Sequence, residues 1–188
     1  MINREQELRF LKERAASKRA ELVVMWGRRR LGKTTLLKAL CEAHPAIYFL
    51  ATRAPAHEQL QRLSIAFAEF FKDPLLERAA LPSWEDAFGY LARNAKSRIV
   101  LAVDEFPYLV KADPSIPSRF QFGWDEHLAK NPNVMLLLNG SSFGYDGTAR
   151  SRIQVASLRP PHGPVAGRAP QLASIPGVLP GSLVDRYH

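Results

Sequence analysis

Residues 27–34 read Gly27-Arg28-Arg29-Arg30-Leu31-Gly32-Lys33-Thr34, the G-x-x-x-x-G-K-T spacing of a loop that wraps a phosphate. Each residue type has a physical task in such a loop. Gly27 and Gly32 let the backbone turn tightly with its amides pointing inward. Lys33 would reach the β- and γ-phosphates of a nucleotide, and Thr34, followed by Thr35, would offer a hydroxyl to Mg²⁺. Arg28, Arg29 and Arg30 place three more cations beside the same anion, as phosphate contacts or as solvent-facing filler.

A second stretch completes this chemistry. Ile99-Val100-Leu101-Ala102-Val103 is a continuous apolar run, as in a strand covered on both faces, and it ends in Asp104-Glu105. A carboxylate at the C-terminal end of a parallel strand faces the crevice where ligands bind. Asp104 there would hold Mg²⁺ through a water, because that ion keeps part of its hydration shell. Glu105 would polarise an attacking water. A third apolar run, Asn133 to Leu138, ends in Asn139-Gly140-Ser141-Ser142. Asn139 and Ser141 are candidate sensors of the γ-phosphate, and a plain turn is the competing reading.

The elements that must position these groups follow from periodicity. Asn3, with Gln6 three residues on, reads as the cap of a first helix carrying Leu8, Leu11 and Ala15 on its apolar stripe, with Phe10 beside them. A strand over 21–26 delivers the phosphate loop, and a helix follows to about Ala43, where His44-Pro45 stops it. Ala46 to Ala51 is a second buried strand. Pro55 opens a helix to about Lys72 with Leu60, Leu63, Ile65, Phe67, Phe70 and Phe71 as apolar positions, and Asp73-Pro74 breaks it. Ser83 caps another helix, whose Trp84, Phe88 and Leu91 read as core. A Pro-rich loop and a helix over about 120–130 precede the last strand. Strands alternating with helices predict an α/β fold with a parallel sheet covered on both faces.

Composition narrows the class. The chain has 188 residues, 46% hydrophobic and 23% charged, which is ordinary for a soluble domain. The single cysteine, Cys41, excludes a disulfide within the chain and reads as a buried apolar residue, so a cytoplasmic location is expected. No apolar run approaches ~20 residues, so no membrane partner is expected, and the N-terminus lacks an apolar signal region. The net charge of +8 permits nucleic-acid contact without demanding it, since acids alternate with bases on the first helix.

Taken together, Ile2-Asn3-Arg4-Glu5, the strand and loop over 21–35, Ser83-Trp84, Val103-Asp104-Glu105-Phe106-Pro107-Tyr108-Leu109, and Asn133-Val134-Met135 leading to Gly140-Ser141-Ser142 resemble the archaeal-type ATPases of the AAA-like, signal-transducing branch of P-loop proteins. The resemblance covers about residues 1–144. It implies a P-loop three-layer sandwich with strand order 5-1-4-3-2, adenine near Asn3-Arg4-Glu5, and ATP with Mg²⁺ as ligands. DNA as a partner is implied by the resemblance alone, and the oligomeric state is left open. The expected domain is therefore 1–144, followed over 145–188 by an irregular Pro/Gly-rich tail that lacks the family's helical lid and its fifth strand.

Two functional readings stand at this point. One is Mg²⁺-dependent hydrolysis of ATP, with Glu105 and Lys33 as the catalytic pair and no arginine finger assignable. The other is a truncated, non-catalytic nucleotide-binding fragment whose phosphate-loop strand lies at a sheet edge. A phosphotransferase is disfavoured by Glu105 directly after Asp104. The truncated reading makes a prediction at the level of the gene. With free choice of synonymous codons, residues 145–172 moved by one base can be written to contain S-P-L-Y-G-R-H-T-G-Q and then L-R-V-A-P-L, a continuation of the type the resemblance implies. A frameshift near Gly144 is therefore expected, and sequencing the codons from 140 onward checks it: an early stop in the shifted frame, or a different motif, refutes it.

Overall fold

A computed structural model describes residues 4–141 and 154–158. The strands are β1 (Glu21–Gly27), β2 (Ala46–Leu50), β3 (Ile99–Asp104), β4 (Val134–Ser141) and β5 (Gln154–Leu158). The helices are α1 (Glu5–Ala15), α2 (Lys33–Ala43), α3 (Ala56–Phe71), α4 (Pro74–Arg78), α5 (Trp84–Asn94), α6 (Pro107–Ala112) and α7 (Ile116–Glu126), with a 3₁₀ turn at Leu128–Lys130. The sheet runs β2-β3-β4-β1-β5. Its first four strands are parallel, and their crossovers carry the helices.

Alternation along the strands sorts the core into two layers, because successive side chains point to opposite faces. Leu22, Val24, Ile47, Phe49, Leu101, Val103, Leu136 and Leu138 face α3, α5, α6 and α7. Val23, Met25, Val100, Ala102, Met135 and Leu137 face α1 and α2, meeting Leu11, Leu36, Leu37 and Leu40. Strands β3 and β4 are buried throughout, as their unbroken apolar runs require. In the larger layer Phe120 gathers Trp84, Phe88 and Phe106, with ring centroids 4.8–5.1 Å apart. That cluster anchors the residue directly after Glu105 to the helices.

Several expectations change. The place beside β1 is filled: β5 pairs with it from Leu22↔Leu158 to Trp26↔Gln154. A fifth strand therefore flanks β1 where none was expected, and the P-loop strand is not at an edge. Its direction is antiparallel, so the sheet is not parallel throughout. Residues 154–158 of the expected irregular tail are strand, and the rest of that tail, like Asn3 and Ser142, lies outside the described residues. The Pro-rich loop expected after Leu109 is largely taken up by the end of α6 and the start of α7, where Pro117 occupies a first-turn position at which a missing N–H costs nothing. Pro74 likewise opens α4, capped by Asp73, whose Oδ1 accepts from the Leu75 amide at 3.0 Å. Ile65 faces solvent at 42% exposure, off the buried stripe of α3.

The end of the sheet away from the phosphate loop is tied by one side chain. The half-buried Arg98 guanidinium donates to the carbonyls of Arg14 (2.6 Å), Arg19 (2.6 Å), Pro132 (2.7 Å) and Val134 (3.3 Å). It thereby joins the last turn of α1 to the entries of β1, β3 and β4, and a cation suits a helix C-terminus. Beside it, Glu21 is 2% exposed, pairs with Arg14 at 3.5 Å and accepts from Ser157 Oγ at 2.8 Å. Replacing Arg98 by Met keeps the aliphatic stem and removes the donors. The expected loss is roughly 2–3 kcal/mol of unfolding free energy, the scale of hydrogen bonds to a charged group, measured by urea denaturation.

Candidate functional site

The phosphate loop sits between the end of β1 and the start of α2, at the C-terminal rim of the parallel strands. Gly32 precedes α2 with φ 82°, a left-handed conformation that a side chain resists, so glycine is required there. Arg30 also has φ 64°, a non-glycine residue held in that region by the loop. Lys33 is buried and its Nζ donates to the carbonyls of Gly27 at 2.9 Å and Arg28 at 2.7 Å. Burial holds its pKa below the usual lysine value, opposed by the attraction of Glu105 and then Asp104. The ammonium therefore braces the loop from inside, above the start of α2.

Asp104 is fully buried at the end of β3. A buried carboxylate must be satisfied, and four donors meet this one. Oδ2 accepts from Thr34 Oγ1 at 2.9 Å and from the Tyr48 hydroxyl at 2.8 Å. Oδ1 accepts from Asn139 Nδ2 and from the Glu105 amide at 2.8 Å. These donors come from α2, β2, β4 and the turn after β3. Burial, then the hydrogen bond to Asp104, raises the Tyr48 pKa well above the phenol range, so it stays a donor.

Glu105 takes φ 54°, a left-handed residue that swings the chain from β3 into α6. Such an outlier persists only where its surroundings over-determine it. Here the Phe106 amide donates to the Asn139 carbonyl at 2.9 Å, and the Tyr108 amide donates to the Glu105 carbonyl at 2.9 Å. Glu105 Oε2 and Asn139 Oδ1 are both buried acceptors without a hydrogen-bond partner.

A cavity of about 450 Å³ opens over these groups, lined by Arg29, Arg30, Gly32, Lys33, Thr34, Thr35, Glu105, Asn139 and Ser141. It brings together most of the residues singled out from the sequence. Gly27, Arg28, Leu31 and Asp104 do not line it: Asp104 lies beneath it, behind Thr34. Asn139 and Ser141 belong to β4, paired with Met25 and Gly27, and are not in a turn. Arg29 reaches the Tyr108 hydroxyl at 3.0 Å, and the Arg53 guanidinium lies 5.6 Å from the same ring. Cys41 is half-buried and its thiol pKa is raised to about 11, chiefly by burial, which makes it a poor nucleophile.

Tyr48 and Arg53 were missed by the sequence reading, and Tyr108 was given no role there beyond its place in the 103–109 stretch. Tyr48 carried a signal: in the alternation of β2 it falls on the less covered face, and a half-buried tyrosine hydroxyl needs a partner. The two other side chains had none, because their positions depend on how the loop after β2 meets α6.

A parallel sheet with a glycine-bounded loop between its first strand and a helix, and an acidic pair at the end of β3, defines the class of P-loop nucleotide-binding folds. The more particular assignment comes from comparison. The model of the ATPase domain found predominantly in Archaea matches residues 1–160, and this chain belongs to that family. It is 36% identical over 146 residues to an uncharacterized protein of Methanocaldococcus jannaschii, covering 78% of this chain and 30% of that protein. A second protein of that organism, an uncharacterized ATP-binding protein, is 44% identical over 41 residues, 22% of this chain and 70% of its own length. Among solved structures, the Walker-type ATPase of Pyrococcus abyssi shares the fold, with a TM-score of 0.53 at 23% identity over 74% of this chain and 45% of its own. The chain thus spans less than half of the first relative and of the solved structure.

Gly140 supports the site from behind. A Cβ at this position would lie 2.8 Å from Pro107 Cδ and 2.9 Å from Cγ, so the first turn of α6 packs directly on the backbone of β4. Gly140→Ala is expected to force α6 off the sheet. The unfolding free energy should fall by about 1–3 kcal/mol, the usual cost of overpacking, as read by chemical denaturation.

Proposed function

We propose that this domain binds ATP with Mg²⁺ and hydrolyses it. Membership of an ATPase domain family supports nucleotide use. The observation that carries the reading is the convergence on one cavity of Lys33, Thr34 and Glu105, with Asp104 hydrogen-bonded behind Thr34.

The residues suit Mg²⁺. Among the described residues no three His, Cys, Asp or Glu side chains converge on a metal cage. Mg²⁺ instead takes one or two protein oxygens, substrate phosphates and its own waters. The Thr34 hydroxyl spends its one hydrogen on Asp104, which leaves its oxygen lone pairs for a cation. Thr34 would hold the ion directly, and Asp104, whose own oxygens are filled by four donors, would act behind it by fixing the Thr34 hydroxyl. When bound, Mg²⁺ offsets the charge of the phosphate oxygens during transfer.

The chain's own groups do the rest. Lys33 gives up loop carbonyls for phosphate oxygens, aided by the amides after Gly27 and the start of α2. Arg29 and Arg30 line the same cavity and add positive charge near the phosphates. Glu105 Oε2 accepts a proton from the attacking water, and Asn139 Oδ1 accepts the water's other hydrogen. Two unpartnered buried acceptors on one cavity match one donor molecule with two hydrogens. Ser141 lines the same cavity and would make a second contact to the phosphates.

Turnover of ATP should fall about 100-fold or more in Glu105→Gln with nucleotide binding retained, the range for loss of a general base. Lys33→Ala should lose binding as well. Equal rates of phosphate release from wild type and both variants would remove the hydrolytic reading.

A further inference from the structure

We propose that Tyr48 is a positioning residue for the metal site: it holds the Asp104 carboxylate that in turn orients Thr34. The inference rests on the Mg²⁺-dependent reading above and concerns a residue that never faces the phosphates.

The argument begins with the two oxygens of Asp104. Oδ1 is fixed by groups built into the sheet, Asn139 on β4 and the Glu105 amide. Oδ2 depends on two hydroxyls, Thr34 at 2.9 Å and Tyr48 at 2.8 Å. Thr34 is exposed on the first turn of α2 and must serve the ligand side as well. Tyr48 has no such second duty. It stands on β2, whose Leu50 pairs with Asp104 across the sheet, two residues beyond its own partner Ala102. Its side chain therefore lies on the same face as Asp104 and Thr34, the face covered by α2.

The ring is held as well as the hydroxyl. It packs, half-buried, against the α1/α2 core layer, with the Lys38 ammonium 5.9 Å from its centroid. A tyrosine so fixed has only two side-chain torsions and loses little freedom in making its bond. Removing its hydroxyl leaves Oδ2 with one donor, the one that turns toward a ligand. A buried carboxylate in that condition rotates or draws in water, and Thr34 loses the acceptor that aims its lone pairs outward.

The test is a Mg²⁺ titration of the full chain with a fluorescent ATP analogue, read as bound fluorescence with no turnover required. In Tyr48→Phe the half-saturating Mg²⁺ concentration should rise about 3- to 10-fold, at or below the usual range for losing an outer-shell partner. Binding of the analogue in EDTA should be unchanged. Lys38→Ala disturbs the ring's surroundings while sparing the hydroxyl, and should keep the wild-type midpoint. An unchanged midpoint in Tyr48→Phe overturns the proposal, as does an equal shift in Lys38→Ala, which would assign the effect to packing. A wild-type chain whose analogue binding ignores Mg²⁺ would instead fail the underlying reading, and the two failures are distinct.

Discussion

The buried carboxylate of Asp104 is the constraint around which the rest is built. An ionised group with no solvent exposure costs several kcal/mol unless its lone pairs are filled. Filling them takes a hydroxyl from α2, a phenol from β2, an amide from β4 and the backbone of the following residue. Four segments distant in sequence must therefore reach the same height on the sheet. The register supplies this: Val103 pairs with Leu138 and Leu50 with Asp104, so the ends of β2, β3 and β4 form one rim. The phosphate loop joins it because Gly27 pairs with Ser141.

Strain collects at that rim and support lies beneath it. Arg30 and Glu105 hold left-handed backbone there, and two buried acceptors wait without partners. Below, β3 and β4 are buried along their whole length, the aromatic rings around Phe120 lock α5 and α7 to the turn at Phe106, and Arg98 closes the far end. Rigid support of this kind is what keeps unusual conformations in place.

The fold was largely legible in the sequence because its signals are local. The apolar runs at 22–26 and 99–103, the glycine spacing from Gly27 to Gly32 and the Ser83 cap with Asp86 each depend on neighbours a few residues away. The same holds for the acidic pair. The strand order 5-1-4-3-2 that the resemblance implied is the order observed, read from the other edge; details within that order were harder. Pro117 fell in the stretch read as a Pro-rich loop, yet a proline in a first helical turn is as natural as one in a loop. β5 was hidden by the prolines and glycines around it, although Ile153-Gln154-Val155-Ala156-Ser157-Leu158 carries β-branched residues and no breaker. The Tyr48–Asp104 bond spans 56 positions and depends on β2 lying beside β3, which no pattern within either strand reveals.

The direction of β5 decides which end of the sheet Leu158 occupies. The strand enters the sheet at Gln154, level with Trp26 at the rim, and leaves it at Leu158, level with Leu22. β5 therefore ends at the floor of the sheet, beside the Glu21 and Ser157 contact and remote from the phosphate loop. A parallel strand in the same place would have ended at the rim, beside the phosphate loop. Leu158 thus stands at the opposite end of the sheet from the cavity, the height of the sheet away, about 15 Å for a strand of this length.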